Sequence, residues 1–239
     1  MALKKLNIIY DDDHLVVIDK PAGLLVIPDR KGAPSVKEYL NNLFPGIYTV
    51  HRIDRDTSGL VIFAKHAEAH RNLSMQFESH SVIKKYQAFV RGRLPEKSLV
   101  IDKPIGKHPR KANVMIIDSR GKAAHSVCNA IEIFKHASFA ELEISTGRTH
   151  QIRVHLQFAE YPLLVDPVYG NKEAFYLSEI KHNYKAKEIE TPIIQRLTLH
   201  ANFLQVKHPD SGKEISFVCE LPADLQLLLK MLKKYDAVN

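Results

Sequence analysis

HRIDRDTSGLVIFAK, residues 51–65, packs two aspartates, two arginines and a histidine into its first six positions and then turns apolar. Leu60-Val61-Ile62-Phe63 is a short, nearly continuous apolar run, which predicts a strand over 59–65 buried on both faces. Thr57-Ser58-Gly59 punctuates the junction between the charges and the strand. Taken alone, the charges are explained as well by a solvated turn as by a site. In an extended segment, alternation would put Arg52 and Asp54 on one side and turn Ile53 toward the core. Asp56 reads as structural, tying the turn through Arg55 or capping the amides of Ser58 and Gly59.

Outward from this stretch, residues 7–10 and 14–19 read as two short strands around the acidic turn Asp11-Asp12-Asp13, with Pro21-Ala22-Gly23 ending the second. Ser35, followed three residues on by Glu38, predicts a capping box opening a short helix, VKEYLNNLF. Residues 66–80 read as a helix, with Leu73 and Phe77 four apart on one face. Period-two alternation predicts strands over 85–91, 123–134 and 139–144. Residues 197–206 and 214–218 suggest a hairpin around HPDSGK, and leucines at 225, 228, 229 and 232 a closing helix over 224–232. Polar residues 170–191, rich in Lys and Glu, read as a surface excursion. Strands in hairpin-like pairs with helices between them predict α+β architecture around a mixed, largely antiparallel sheet.

With 239 residues, 45% hydrophobic and 26% charged, the composition is that of a soluble globular protein able to bury a substantial core. No apolar run approaches the ~20 residues needed to span a bilayer, and the N-terminus lacks the pattern of a signal peptide. Cys128 and Cys219 sit in strand-like patterns without ligand spacing and read as buried free thiols of a cytosolic protein. The net charge is +7, and Lys103, Lys107, His108, Arg110, Lys111, Arg120 and Lys122 crowd one segment. Such a basic stripe suits a polyanion, RNA or DNA.

Two further stretches set charge or hydroxyls beside structured segments. Lys84-Lys85-Tyr86 places a tyrosine at the start of a strand. TGRTHQIRVHLQFAEYPLLVDPVYG, residues 146–170, offers Thr149 as the cap of a helix starting at His150, with Arg148 beside it as an anion site. Surface salt bridging is the alternative for Arg148 and Arg153. His150 and His155 are five apart, off the four-residue spacing of a helical zinc pair. Ser58 lacks the G-x-S-x-G elbow, and no Walker loop occurs.

HRIDRDTSGLVIFAK, KKYQAFVRG, ISTGRTHQIRVHL and YPLLVDPVYG resemble the successive motifs of the RluA-type pseudouridine synthases. DDDHLVVIDKPAGLLV resembles the family's opening and LTLHANFLQVKHPDSGKEISFVCELPADL its close, so the likeness runs in order along nearly the whole chain. Ile53 stands where leucine is commoner, and Leu164-Val165 where glycine is frequent nearby. The resemblance implies the pseudouridine synthase catalytic fold as a single domain over 1–239, without the small N-terminal RNA-binding domain of some relatives. It implies isomerisation of specific uridines in structured ribosomal or transfer RNA, by base flipping, glycosidic cleavage, base rotation and carbon–carbon rejoining. The catalytic aspartate of the family falls on Asp54, its active-site tyrosine on Tyr86, and the arginine paired with the aspartate on Arg153. Arg52 corresponds to the arginine that enters the RNA where the base leaves, and His51 and Arg148 match adjoining motif positions. Lys107, Arg110 and Lys111 of the basic stripe join these as expected RNA contacts. No cofactor or metal is implied, and the expected enzyme is a cytoplasmic monomer that meets RNA and no membrane. A catalytically inert RNA-binding module would need the basic surface alone; a hydrolase would need a metal site or a carboxylate pair poised for water.

Overall fold

In a computed structural model the described residues are 6–185 and 189–238; residues 1–5, 186–188 and 239 lie outside them, and with them part of the expected excursion over 170–191. The chain divides into two compact units, one of residues 1–85 and 200–220, the other of residues 86–199 and 221–239.

The first unit contains β1 (Asn7–Asp11), β2 (Leu15–Lys20), α1 (Val36–Leu43), β3 (Tyr48–Thr49), β4 (Ser58–Ala64) and α2 (Ala67–Glu78). The chain then passes into the second unit within β5 (Ile83–Arg91). There follow β6 (Leu99–Asp102), β7 (Ile105–Lys107), β8 (Met115–Ile117), β9 (His125–Ile133), β10 (Ala137–Ile144) and α3 (Gln151–Phe158). β11 (Leu199–Lys207) and β12 (Glu214–Val218) return to the first unit, and α4 (Ala223–Tyr235) closes the second.

In the first unit the strand order is β1-β2-β4-β11, with β12 on β11 and β3 on β4. β4 is the axis. All seven of its residues are buried, as the unbroken apolar run requires. It pairs antiparallel with β2 and parallel with β11, which makes the sheet mixed. Leu60 and Ile62 pack with Leu15 and Val17 of β2, Leu73 of α2, and Leu204 and Val206 of β11. Burying each such side chain fully is worth about 1.5–3 kcal/mol, so β4 is the stiffest support available for whatever precedes it. The Ser35–Glu38 capping box forms as expected: Ser35 Oγ accepts from Glu38 N (3.3 Å), and a Glu38 carboxylate oxygen accepts from Ser35 N (3.0 Å).

In the second unit β5-β10-β9-β6 form the sheet, and β7–β8 pair as a separate antiparallel hairpin. The basic stripe is therefore folded: Lys107 ends β7, and Arg110 and Lys111 are exposed in the connection to β8. Leu225, Leu228 and Leu232 of α4 pack with Phe89, Phe139 and Leu164. The expected surface excursion is corrected in its first half, because Phe175 and Ile180 enter this same core. Among so many polar neighbours these isolated apolar residues carry no periodicity that marks them as anchors. Among the described residues no helix is long and apolar enough to cross a membrane. Cys128 and Cys219 are buried free thiols, pushed up to about 12 by burial.

Candidate active site

The segment before β4 is held by a neutral histidine and by two cations bonded to backbone carbonyls. His51 stacks on Phe77 at 4.6 Å between centroids, and its Nε2 accepts from Ile62 N at 3.1 Å. Burial, with Lys84 as a smaller cause, lowers its pKa from 6.5 to about 3, so the ring is neutral at any physiological pH. Ile53 is buried, Arg52 exposed and Asp54 partly exposed, the alternation expected of an extended segment. Asp54 O accepts from Thr57 N (3.2 Å), closing the turn that leads into β4. Arg55, not Asp56, ties this turn to the loop after β2, donating from Nε to Gly23 O at 3.0 Å while its own carbonyl accepts from Gly23 N. Asp56 itself is exposed.

Beneath the turn lies a residue that the sequence did not single out. Lys20, at the end of β2, is wholly buried. Its ammonium donates to three carbonyls, Pro21 O (2.9 Å), Leu24 O (2.8 Å) and Arg55 O (2.8 Å). A buried lysine at such a position exchanges water for three carbonyl dipoles and thereby fixes two loops on one nitrogen. Its only sequence signal is a lysine directly following an apolar strand. Ser58 Oγ and His200 Nδ1 lie 2.9 Å apart, and His200 Nε2 is 3.3 Å from Cys219 O. The carbonyl needs a donor, so Nε2 carries the proton and Nδ1 accepts from Ser58. Gly59 follows with φ +112°, and a Cβ there would fall 2.2 Å from Ala201 O of β11. Only glycine lets β4 begin this close to its parallel neighbour.

In the second unit Tyr86 is buried on β5, on the same face as Ala88. Lys84, preceding Tyr86 by two, is also buried; it belongs to the first unit, where its ammonium stands 5.7 Å from the Phe77 centroid.

The turn before α3 departs from its expected form. α3 begins at Gln151, and Thr149 does not cap it; the N-cap is His150, in the left-handed region at φ 55°, with no side-chain cap hydrogen bond. Gln151 organises the turn instead. Its Oε1 accepts from Thr146 Oγ1 (2.8 Å) and Arg148 N (3.0 Å), and its Nε2 donates to His125 O (2.9 Å) and Ser126 Oγ (3.0 Å). A buried amide with all these bonds made is a rigid clasp, whereas a threonine cap can satisfy one amide only. Arg148 is half-buried and donates from Nε to Ala123 O at 2.9 Å. His155 has both ring nitrogens engaged, Nδ1 with Ser126 Oγ and Nε2 with Lys103 O, each at 2.9 Å.

Arg153 is buried with Asp166. Its Nε and Nη2 donate to the two oxygens of that carboxylate at 2.8 and 2.9 Å. Its guanidinium also stands over the Tyr169 ring at 4.9 Å. The surface salt bridging open to Arg153 from sequence is replaced by a buried two-pronged pair on one edge of the guanidinium. The partner comes from YPLLVDPVYG, thirteen residues on, a separation at which no local pattern announces a contact.

The first unit presents a partly exposed carboxylate on a stiff turn; the second presents a buried tyrosine, a rigidly held arginine and a basic hairpin. The sequence model of the family described as RNA pseudouridylate synthase matches residues 14–158. The ribosomal large subunit pseudouridine synthase D of Zymomonas mobilis is 38% identical over 249 residues, covering 95% of this chain and 73% of its own length. Its namesake from Pseudomonas aeruginosa is 36% identical over 239 residues, covering 96% of this chain and 72% of its own. In fold, the human RNA pseudouridylate synthase domain containing 4 superposes with a TM-score of 0.71 at 23% identity, over 95% of this chain and 93% of its own. The chain belongs to the RluA-type RNA pseudouridine synthases, and is by that membership an isomerase acting on RNA.

Proposed function

We propose that this enzyme isomerises specific uridines in structured RNA, with large-subunit ribosomal RNA as its substrate, and that its two units act together as one catalytic domain. The observation that supports this most is the conjunction of Asp54 on its stiffened turn with relatives named for the large ribosomal subunit. Transfer RNA is the other substrate class the motifs admit. The enzyme works as a cytoplasmic monomer.

Asp54, ionised, opens the reaction in one of two ways. It attacks the anomeric carbon and displaces N1 of uracil, or it removes the ribose 2′ proton to give a glycal. Arg153 supplies the opposite charge that orients the carboxylate. The released uracil turns and C5 bonds to the anomeric carbon, displacing the Asp54 carboxylate in the first route or with return of the 2′ proton from Asp54 in the second; the C5 proton then leaves and N1 gains one. Tyr86 stacks on the extruded base, and its hydroxyl serves the C5 proton transfer. Base extrusion is required because the anomeric carbon is out of reach inside folded RNA. Arg52, exposed beside Asp54 in the chain, fills the vacated place. His51 acts from beneath, holding the turn to β4. Arg148 and the hairpin cations Lys107, Arg110 and Lys111 contact phosphates.

RNA carrying tritium at C5 of uracil tests the proposal. Release of tritium from a large-subunit ribosomal RNA transcript, with none from bulk transfer RNA, is the expected result. Binding without release from either would leave an RNA-binding module in place of the enzyme proposed for these substrates, and release from transfer RNA alone would move the substrate.

A further inference from the structure

YPLLVDPVYG, residues 161–170, takes no direct part in the chemistry above, yet it is among the most tightly specified stretches of the second unit. Asp166 is fully buried and its carboxylate is saturated. Besides the two bonds from Arg153, its Oδ1 accepts from Val168 N (2.9 Å) and Tyr169 N (3.0 Å). The backbone folds back over it, Asp166 O accepting from Gly170 N at 3.0 Å, so tightly that a Cβ on Gly170 would meet that oxygen at 3.0 Å. The turn so formed presents the Tyr169 ring beneath the Arg153 guanidinium.

The hydroxyl of Tyr169 points the other way along the unit. It accepts from Met115 N, the first residue of β8, at 2.8 Å, and lies 2.8 Å from His150 Nδ1. A phenol oxygen can accept from the amide and still either donate to the imidazole or accept from it, so one oxygen joins both segments. The ring itself packs with Ile105, Val154, Val114, Met115 and Ile117, so both strands of the basic hairpin rest on Tyr169 and on the α3 residue next to Arg153. One side chain therefore touches the hairpin through its hydroxyl, the helix start through the same oxygen, and Arg153 through its face.

We propose that Tyr169 is a positioning residue that couples RNA seated on the β7–β8 hairpin to the orientation of Arg153. Phosphates gathered by Lys107, Arg110 and Lys111 load the hairpin. The load passes through Met115 N to the Tyr169 ring, which with Asp166 fixes the plane of the guanidinium. RNA on the hairpin thereby tightens the hold of the Tyr169 ring on a guanidinium that Asp166 already grips. The coupling rests on the roles given above to Arg153 and to the hairpin, and its test separates the two levels.

Tyr169→Phe keeps the ring under Arg153 and removes the hydroxyl. Single-turnover conversion of the C5-tritiated ribosomal transcript at saturating enzyme should slow about tenfold, with RNA affinity within about twofold, because misplacement of a reacting group damages the transition state more than binding. The triple variant K107A/R110A/K111A should slow the saturated rate in the wild-type background and add no further slowing to Tyr169→Phe, the non-additivity expected of one linked path. Should Tyr169→Phe unfold, the saturated rate of the triple variant decides the matter, since a hairpin that only binds RNA would leave that rate at the wild-type value. A saturated rate equal to wild type, a loss confined to affinity, or independent multiplication of the two rate effects would overturn the coupling. Arg153→Lys run alongside tells which level failed. If it is slow while Tyr169→Phe is fast, the coupling alone falls; if it turns over normally, the role of Arg153 falls and takes the coupling with it.

Discussion

The turn carrying Asp54 and the helix carrying Arg153 are both rigid, but they are stiffened by opposite means. The first is supported by neutral or backbone-directed contacts: a neutral His51, the Ser58–His200 bond, and the Lys20 ammonium spread over three carbonyls. The second is held by a full ion pair, Arg153–Asp166, buried on both sides. A carboxylate proposed to open the reaction, by either route, needs a stiff frame that leaves its charge for the substrate. A cation kept for positioning tolerates a counter-charge on one edge, because guanidinium has further donors to give.

The largest effect that would break this contrast is at the carboxylate. Asp54→Asn removes the charge and little volume from a partly exposed group, so turnover should fall by about 10⁴-fold or more while thermal stability and RNA affinity stay near wild type. Normal tritium release, in protein verified free of deamidation, would remove Asp54 from the reaction. Tyr86→Phe should come next, losing on the order of 10²–10³-fold in conversion at unchanged affinity, since it retains the stacking face and removes the proton-transfer group. Rapid-quench analysis that finds wild-type conversion would assign the C5 proton elsewhere.

The two frames should also fail differently. Asp166→Asn strands a buried guanidinium and should cost about 3–5 kcal/mol in urea unfolding, whereas Arg153→Lys keeps the charge but loses the planar two-pronged contact and should lose about 10²-fold in turnover with little change in affinity. A lysine variant that binds poorly yet turns over normally at saturation would make Arg153 a phosphate contact.

Acid reaches the first frame through His51. The unfolded chain takes up this proton near pH 6.5 and the folded chain only near pH 3. Between those values the unfolded state binds more protons, so this contribution is fully present above pH 6.5 and declines as pH falls, at up to about 1.4 kcal/mol per pH unit. His51→Gln keeps an acceptor for Ile62 N and cannot titrate; chemical denaturation between pH 7 and pH 4 should show a flatter decline for it than for wild type. Asp12, lowered from 3.8 to about 2 by hydrogen bonds from Leu15 N, Tyr10, His14 N and His208 against the opposing effect of burial, loses its contribution only below that window. Equal slopes for the two proteins would mean that His51 is not held neutral. The smallest effect concerns the hairpin: K107A/R110A/K111A should reduce the slope of log affinity against log salt by about 2–3, the counterions of three phosphates. An unchanged slope would place the RNA track on another face.

What was legible in the residues follows from local chemistry. The β4 run, the Ser35–Glu38 box, the α2 face and the terminal hairpin each carry their signal within a few positions, where periodicity and capping act. Asp54, Tyr86 and Arg153 were nameable because they sit in ordered motifs, and the alternation of Arg52, Ile53 and Asp54 because extended backbone has period two. The Thr149 cap was misread because a threonine before a helix is a sound local rule, and Gln151, by bonding at once to Thr146, Arg148, His125 and Ser126, overrides it with partners from two separate segments.

The sequence by itself determined the order of the motifs, the chemistry they admit and the strand that supports the Asp54 turn, since each of these depends on neighbours along the chain. The tertiary structure alone decided that Lys20 is buried under that turn, that Arg153 is gripped by Asp166, and that the basic stripe is a hairpin resting on Tyr169. Those three facts turn on burial and on partners distant in sequence, and a charged residue takes its buried or exposed fate from whether such partners meet it in space.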